Sequence, residues 1–305
     1  SCLEFPRQMA LGALPDSDLP LISKMGQAIA RQCRTLGIHL DFAPCVDINN
    51  NSQNPVINSR SFGESRELVA NRALAILNGM RMEGVACCAK HFPGHGDTRV
   101  DSHLDLPVIN KSRSEIESLE LYPFRELIDN HVDFVMVGHL NIRALDSTKN
   151  SIASLSKPIV TDLLRNELGF KGLVISDALG MNGLRNSYKT PGEAEVRALL
   201  AGVDVLLMPN NLQETISYIK NAVRKGRISE DLIDEHCLRV LRFKSSRGLD
   251  HFEPLSDKNV FLKMNSAADK ALVDSIEAES ITLLRNDANI LPIMPDRAAS
   301  TLLLC

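Results

Sequence analysis

Ionisable side chains are most concentrated in residues 90–103, which read Lys-His-Phe-Pro-Gly-His-Gly-Asp-Thr-Arg-Val-Asp-Ser-His. The segment has the pattern of a strand end followed by a polar loop whose proline and glycines specify a shaped backbone. Asp101 and His103 are two positions apart, so in an extended loop both side chains can point the same way. A carboxylate touching an imidazole fixes its tautomer and favours its protonated form. The spacing therefore predicts His103 as a proton donor near neutral pH, although a surface loop with incidental charges is the alternative.

A second acidic residue, Asp177, directly follows the apolar run at residues 172–176. Cleavage of a glycosidic bond with retention needs a nucleophilic carboxylate and a separate proton donor. Asp177 and His103 could fill these two roles, with histidine in place of the usual second carboxylic acid. The alternative for Asp177 is a structural one, as the cap of the next helix.

Further candidate residues are hydrogen-bond donors. Arg60, Lys90, His91 and His139 offer the hydrogen-bond donors that a site for hydroxyl groups and a carbonyl oxygen requires. Each of them could instead be a satisfied buried group, and for His139 the two interpretations are about equally favoured.

The composition is that of a globular protein. The chain has 305 residues, a net charge of −4, three Tyr and no Trp, which argues against a single-stranded nucleic-acid partner. The basic run Arg239–Arg247 has apolar residues at helical spacing, which favours a solvated helix face. No apolar run approaches the length of a membrane span. The seven cysteines lack metal-site spacing, so we expect reduced and mostly buried thiols, with Cys87 and Cys88 as packing residues in a strand.

Apolar β-branched runs alternate with helical patterns along the chain. Capping patterns predict helices from Ser61-x-x-Glu64 to Gly84 and from Ser112-x-x-Glu115 through Ile128. Further helices are expected at residues 190–202 and 265–280. Strands are predicted at Ile38–Ile48, Val85–Phe92, Asp133–His139, Gly172–Ala178 and Val203–Pro209.

Polar residues at the ends of several different strands favour a (β/α)8 TIM-type barrel over an open doubly wound sheet. Five strands cannot close an eight-stranded barrel, so we expect the barrel to be N-terminally incomplete. We predict a catalytic barrel at residues 1–248, a linker at 249–261, and the start of a truncated αβα sandwich domain at 262–305. A short strand at residues 281–284 and another at 300–305 would belong to that second domain.

These motifs resemble glycoside hydrolase family 3, specifically its NagZ-type β-N-acetylglucosaminidases. The resemblance lies in Lys-His-Phe-Pro-Gly-His-Gly at residues 90–96, Asp-Ser-His at residues 101–103, and Val-Ile-Ser-Asp-Ala-Leu-Gly-Met at residues 174–181. It implies a retaining exo-β-N-acetylglucosaminidase that acts on peptidoglycan-derived or chitin-type oligosaccharides. Asp177 would be the nucleophile, His103 the general acid/base, and Asp101 the residue that orients His103.

The resemblance also implies substrate-binding residues, namely Arg60, Lys90, His91, His139 and Met181. It implies no cofactor and no metal, a substrate that contains N-acetylglucosamine, and a C-terminal αβα domain with a possible β-lactamase-like domain beyond it. A periplasmic or secreted location is favoured and a cytoplasmic one stays open.

One family feature is not found. The family has a sugar-gripping Asp upstream of a Phe-Pro-x-x-Met element, which is residues 5–9 here, and nothing precedes Ser1 to supply it. We therefore expect the 305-residue chain to be poorly folded or nearly inactive, which full activity on a chromogenic N-acetylglucosaminide would refute.

Two alternative activities stay open. A phosphorylase of the same family would also use a histidine acid, which does not repel phosphate. A metal-dependent amidohydrolase is the second, because His91, His95, His139 and Asp177 imitate metal ligands at barrel strand ends.

Overall fold

The computed structural model describes residues 2–98, 106–251, 253–287 and 291–292. Its strands are β1 (Leu40–Asp41), β2 (Ala86–Phe92), β3 (Val108–Ile109), β4 (Phe134–Val137), β5 (Asn141–Ile142) and β6 (Leu173–Ser176). A four-stranded sheet has the order β1-β2-β4-β6, and β3 pairs with β5 in a second, two-stranded sheet. All of these pairings are parallel, so the carboxyl ends of the four strands meet at one edge of the main sheet.

The α-helices are α1 (Gln8–Ala13), α2 (Leu19–Thr35), α3 (Arg66–Met82), α4 (Arg113–Ser118), α5 (Tyr122–Asp129), α6 (Asn182–Arg185), α7 (Glu193–Ala201), α8 (Leu212–Arg224), α9 (Glu230–Ser246), α10 (Val260–Met264) and α11 (Ala267–Ser280). A π-type helix spans Pro158–Glu167, and short 3-10 turns lie at Asp16–Asp18, Asn58–Arg60 and Ala153–Leu155. Strands alternate with helices along the chain, which makes this an α/β fold built on parallel sheets.

Apolar side chains cover both faces of the main sheet. One face, which includes Cys87, Val135 and Val174, belongs to the large core formed with α2, α3 and α5. The other face carries a smaller cluster that includes Cys88 and Phe134. Burial on both faces explains why these strands are almost continuously apolar in sequence.

Helix α9 covers part of the smaller cluster. Phe243 contacts Phe134 edge to face, with ring centroids 4.8 Å apart. Arg239 pairs with Asp204, and Arg247 pairs with Asp133. The predicted helix at the basic run is therefore confirmed; Arg242 and Lys244 are exposed, as on a solvated face, while Arg239 and the C-cap residue Arg247 form partly buried ion pairs.

Most of the strand predictions are confirmed. The predicted strands at 85–92, 133–139 and 172–178 are β2, β4 and β6, each shorter by one or a few residues. The run at 38–48 pairs only at β1 and at an isolated bridge from Cys45 to Lys90. The run at 203–209 makes a single bridge, from Val205 to Ile175.

The helix starts agree less well. Ser112 and Glu115 form the predicted capping box, but the helix ends at Ser118 and a second helix carries the chain to Asp129. Ser61 was wrongly predicted as a cap, because the cap of α3 is Ser65, whose side chain accepts from the Leu68 N–H group. The predicted helices at 190–202 and 265–280 are confirmed as α7 and α11.

The C-terminal helices α10 and α11 pack on α2. Ile276 is fully buried in the main core, and the Asp269 carboxylate pairs with Arg31 at 2.6 Å. Residues 281–284 form no strand in the described part of the chain, contrary to the prediction, and Ile281 and Leu284 are exposed. None of the described helices has the length and apolarity that crossing a bilayer requires.

The described cysteines are all free thiols, as expected. Cys45, Cys87 and Cys88 are buried, Cys33 is half-buried, and Cys2 and Cys237 are exposed, so the expectation that most are buried holds for only half of the six. Cys87 and Cys88 pack on opposite faces of β2, which confirms their predicted role as packing residues.

Candidate active site

The strand ends bring the predicted polar residues to one edge of the main sheet. Lys90 and His91 lie at the end of β2, His139 follows β4, and Asp177 follows β6. Because these strands are adjacent and parallel, their carboxyl ends form a common edge, the usual position of a site in α/β proteins. This arrangement supports the prediction that the residues act together.

Asp177 is a half-buried carboxylate held by the turn that follows β6. Its Oδ1 accepts a hydrogen bond from the Ala178 N–H group at 2.8 Å, and its own N–H group donates to the Val137 carbonyl. Burial alone would raise the pKa of Asp177, but the nearby imidazoles of His91 and His139 and the Ala178 hydrogen bond lower it below its ordinary value. The carboxylate is thus ionised at neutral pH, as a nucleophile must be.

His91 and Arg60 meet beside the end of β2. The Arg60 Nη2 atom lies 3.3 Å from His91 Nε2, and the His91 Nδ1 atom lies 2.7 Å from Asp47 Oδ2. The pairing register between β2 and β4 shifts between Lys90 and Phe92, which leaves His91 without a cross-strand partner. Such a bulge re-aims a side chain out of the regular strand alternation.

A cavity of about 460 Å³ opens next to this pair. Arg60 and Lys90 line it, together with Gln8 and Asp41. Burial raises the pKa of Asp41, while the nearby Lys90 ammonium partly offsets that effect. Asp177 does not line this cavity. The cavity therefore marks only the side of the site that contains Arg60 and Lys90.

His139 and Met181 are more enclosed than the sequence suggested. His139 is only 1% exposed, and its ring nitrogens lie 2.7 Å from Ser154 Oγ and 3.1 Å from the Ala178 carbonyl oxygen. Burial lowers the pKa of His139 and so favours the neutral imidazole. Because the Ala178 carbonyl can only accept, this imidazole supports the turn that carries Asp177. Met181 is also buried, and direct substrate contact by either residue stays a prediction.

The loop that follows β2 is described as far as Thr98. Asn54 donates from Nδ2 to the carbonyls of His95 and Gly96, at 2.8 and 2.9 Å. Gly96 is required because a Cβ atom there would lie 1.6 Å from the Ile48 carbonyl oxygen. The shaped backbone expected from the sequence is thus confirmed up to this point, while Asp101 and His103 lie outside the described residues.

Asp47 is the residue whose importance the sequence analysis missed. It is fully buried, and its carboxylate accepts hydrogen bonds from the His91 ring and from the backbone N–H groups of His91 and His95. Burial raises its pKa, but His91 and His95 outweigh that effect and hold the pKa well below the ordinary value. Its place at a predicted strand end was the available signal, but no pattern in the sequence pointed to its partners.

One group of described residues has metal-ligand geometry. The donor atoms of Cys45, Asp47 and His91 all lie within 4.8 Å of one another. Burial, with the adjacent Asp47, raises the pKa of the Cys45 thiol well above its ordinary value, so the thiol keeps its proton. The carboxylate is already engaged by N–H donors, and the three residues therefore form a hydrogen-bond network.

Among the described residues, Cys45, Asp47 and His91 are the one group with metal-ligand geometry. The ligand set that the amidohydrolase alternative requires is therefore not assembled in this part of the chain. The His91 and His95 rings contact each other edge to face, with their centroids 5.8 Å apart. The His91 Nδ1 atom bonds Asp47, and the His95 Nδ1 atom bonds Thr98. The two Nδ1 atoms therefore serve separate protein partners.

The model of the Glycosyl hydrolase family 3 N terminal domain matches residues 2–243. The chain belongs to glycoside hydrolase family 3. This result confirms the family that the motifs at residues 90–103 and 174–181 indicated.

Relatives of this family 3 chain include named glucosaminidases. It is 32% identical to beta-hexosaminidase A of Pseudoalteromonas piscicida over 96% of this chain and 53% of the relative. It is similar to the solved family 3 β-N-acetylglucosaminidase of Paenibacillus sp. str. FPU-7, with 40% identity and a TM-score of 0.87 over 94% of this chain and 54% of that one. A solved β-glucoside phosphorylase superposes with a TM-score of 0.90 at 26% identity, over 97% of this chain and 55% of that one. The family 3 chain thus spans about half the length of these relatives.

Proposed function

We propose that this chain carries the active site of a retaining exo-β-N-acetylglucosaminidase. The substrates would be peptidoglycan-derived or chitin-type oligosaccharides with a terminal N-acetylglucosamine. The observation that carries the proposal is the ionised Asp177 carboxylate, which shares a sheet edge with Lys90 and His91. The similarity to enzymes named β-hexosaminidase and β-N-acetylglucosaminidase supports this substrate class.

The reaction would proceed in two displacements. Asp177 attacks the anomeric carbon while His103 gives its proton to the departing glycosidic oxygen, which leaves a covalent glycosyl-enzyme. Water then attacks the same carbon, His103 takes a proton from that water, and Asp177 departs. Two inversions at one carbon release N-acetylglucosamine with the β configuration of the substrate.

The roles of His103 and Asp101 are proposed from the sequence motif. Asp101 would hold the His103 ring in a productive tautomer and stabilise its protonated form. Arg60, Lys90 and His91 would bind the sugar of the −1 subsite, since Arg60 and Lys90 offer donors to the cavity and His91 lies against Arg60. His139 and Met181 are proposed to bind substrate at the Asp177 side.

The domain assignment is also a proposal. We assign residues 1–248 to a catalytic (β/α)8 barrel, 249–261 to a linker, and 262–305 to the start of a second αβα domain. The parallel order of β1, β2, β4 and β6 with helices between them supports the barrel. Relatives that are about twice as long as this chain support a second domain.

A phosphorylase of the same family is the second candidate, and the solved β-glucoside phosphorylase that superposes on this chain favours it. In that reaction phosphate, instead of water, would attack the glycosyl-enzyme. A histidine acid carries no negative charge that would repel the incoming phosphate.

Product analysis tests the proposal and separates these candidates. The full-length protein is incubated with 4-nitrophenyl N-acetyl-β-glucosaminide and with chitobiose, with and without phosphate. We expect free N-acetylglucosamine in both conditions, unchanged by a chelator, and no turnover by Asp177→Ala. Formation of N-acetylglucosamine 1-phosphate would establish the phosphorylase, and loss of activity with a chelator would favour a metal enzyme.

A further inference from the structure

Asp47 connects two parts of the candidate active site through one buried carboxylate. Its Oδ2 atom lies 2.7 Å from His91 Nδ1, and its Oδ1 atom accepts from the His95 N–H group at 2.7 Å. The His91 N–H group lies 3.2 Å from both oxygens, and the Cys45 thiol donates to Oδ2 at 3.1 Å. The carboxylate is 1% exposed, so these bonds form away from water, where each of them is strong.

The neighbours of His91 determine which ring nitrogen carries the proton. Arg60 can only donate hydrogen bonds, and its guanidinium faces His91 Nε2 at 3.3 Å. Nε2 must therefore present its lone pair, and the ring proton must lie on Nδ1, where the Asp47 carboxylate accepts it. In this tautomer Nε2 faces Arg60 as an acceptor, and the ring orientation is fixed from both sides.

The same carboxylate also holds the start of the loop that leads toward residues 101–103. The His95 N–H group bonds Asp47, while the His95 and Gly96 carbonyls accept from Asn54. Thr98 closes this stem by a hydrogen bond between its Oγ1 and His95 Nδ1 at 3.0 Å. Residues 91–98 are therefore fixed by buried side chains from the chain segment that precedes them.

From these contacts we infer that Asp47 is a positioning residue for the proposed glycosidase: it fixes the His91 tautomer and anchors the stem at residues 91–98, which precedes the proposed acid/base His103 in the chain. The inference rests on the proposed function for its catalytic consequence. The hydrogen bonds themselves do not depend on that function. Asp47 acts through His91 and His95 and does not touch the reacting atoms.

Asp47→Asn tests the inference with the smallest change of shape. An amide has one acceptor oxygen where the carboxylate has two, so its NH₂ group must face either the His91 ring or an N–H donor. Facing the ring, it forces the proton onto Nε2, where it meets the Arg60 guanidinium. We expect kcat/KM to fall between about tenfold and a hundredfold, by analogy with the loss of a carboxylate that orients a metal-binding histidine.

Comparing the loss of kcat on two substrates shows whether the stem at residues 91–98 contributes to the effect of Asp47→Asn. Because chitobiose needs its leaving oxygen protonated and 4-nitrophenolate hardly does, kcat should fall more on chitobiose. Asp146→Asn is the matched control, since Asp146 is another buried carboxylate that accepts from Thr148 and Ser156 away from His91. The control should lose stability but keep its kcat on both substrates. A change of less than about threefold for Asp47→Asn, or equal losses on both substrates, would overturn the inference.

A second measurement does not depend on turnover or on the folding of the variant. Nitrogen-15 NMR of histidine-labelled wild-type protein, assigned with His91→Gln, should show His91 protonated on Nδ1 and unprotonated on Nε2. The opposite tautomer would overturn the inference. If the wild-type protein cleaves no N-acetylglucosaminide while His91 shows the expected tautomer, the proposed function fails and the positioning by Asp47 stands.

Discussion

Asp204 is the centre of a buried charge network, and its replacement by asparagine tests how this network holds the sheet to the helices. Its side chain is fully buried, and Oδ1 accepts from His236 at 2.8 Å and from Arg239 at 2.9 Å. Oδ2 accepts from the Val174 N–H group at 2.8 Å and pairs with Arg165. One carboxylate thus joins β6 to helix α9 and to the π-type helix.

Asp204→Asn keeps one acceptor oxygen and removes the charge. Breaking a buried ion pair by removing one partner costs about 3–5 kcal/mol, because the remaining charge is left uncompensated. Since Arg239 is partly exposed and can be hydrated, we expect a loss near the lower end, about 3 kcal/mol in the free energy of unfolding. Urea unfolding at pH 7 measures it, with the exposed Asp257→Asn as the control that should change stability little.

The contribution of Asp204 to stability should depend on pH in a definite direction. Burial would raise the pKa of Asp204, but its hydrogen bond to His236 and the Arg165 charge lower it below the ordinary value. The stabilisation is complete above the unfolded-state pKa of about 3.9 and is lost as the pH falls through the lower folded-state pKa. The difference between wild type and Asp204→Asn should therefore shrink below about pH 4. If the two proteins differ by less than about 1 kcal/mol in unfolding free energy at pH 7, or if the difference grows toward low pH, the ion pairs of Asp204 do not hold the sheet to the helices.

Gly96, Ser112 and His103 offer three further tests. Gly96→Ala should lower kcat/KM on the order of a hundredfold, because the new Cβ displaces the loop stem from Ile48. Gly226→Ala has open space around its Cβ but a left-handed backbone, so it should lose some stability and keep wild-type kinetics. Equal kinetics for both variants would contradict the close packing at Gly96. Ser112→Ala should lower the free energy of unfolding by about 1 kcal/mol through loss of the capping box, as thermal unfolding would show, and an unchanged melting temperature would argue against the cap. His103→Ala should lose least activity on 4-nitrophenyl substrate and most on chitobiose; equal losses in steady-state assays would exclude His103 as the acid.

Much of the fold was predictable because burial leaves a strong pattern in the sequence. β2, β4 and β6 are apolar on both faces, and their runs were long enough to be recognised. The two-residue strands β3 and β5 were missed because such short pairings have no periodicity to detect. At residues 203–209 the error is the reverse, because an apolar run that was predicted as a strand makes only one bridge, from Val205 to Ile175.

The wrong cap at Ser61 shows how tertiary contacts override local patterns. Ser61 and Glu64 have the spacing of a capping box, yet the Ser61 hydroxyl donates to the Asp47 carbonyl at 2.6 Å, and Ser65 begins the helix. That hydrogen bond joins segments that are distant in sequence, so no local rule could reveal it.

The residues of the candidate site could be predicted from the sequence, but the side chains that hold them in place could not. Asp177, Lys90 and His91 were identified from strand ends, and the structure brings their strands to one edge. The enclosure of His139 against Ser154 and the partners of Asp47 depend on side-chain packing between separate segments. Such contacts exist only once the strands are assembled.

The central claim is that Asp177 forms a covalent bond to the sugar during the reaction. A 5-fluoro N-acetylglucosaminyl fluoride tests it, because the ring fluorine slows both steps while the good leaving group keeps the first step faster than the second. Mass spectrometry of the digested protein should then find one fluorosugar on the peptide that contains Asp177, and no labelling in Asp177→Ala. A label on a different residue, or full turnover by Asp177→Ala, would contradict the account.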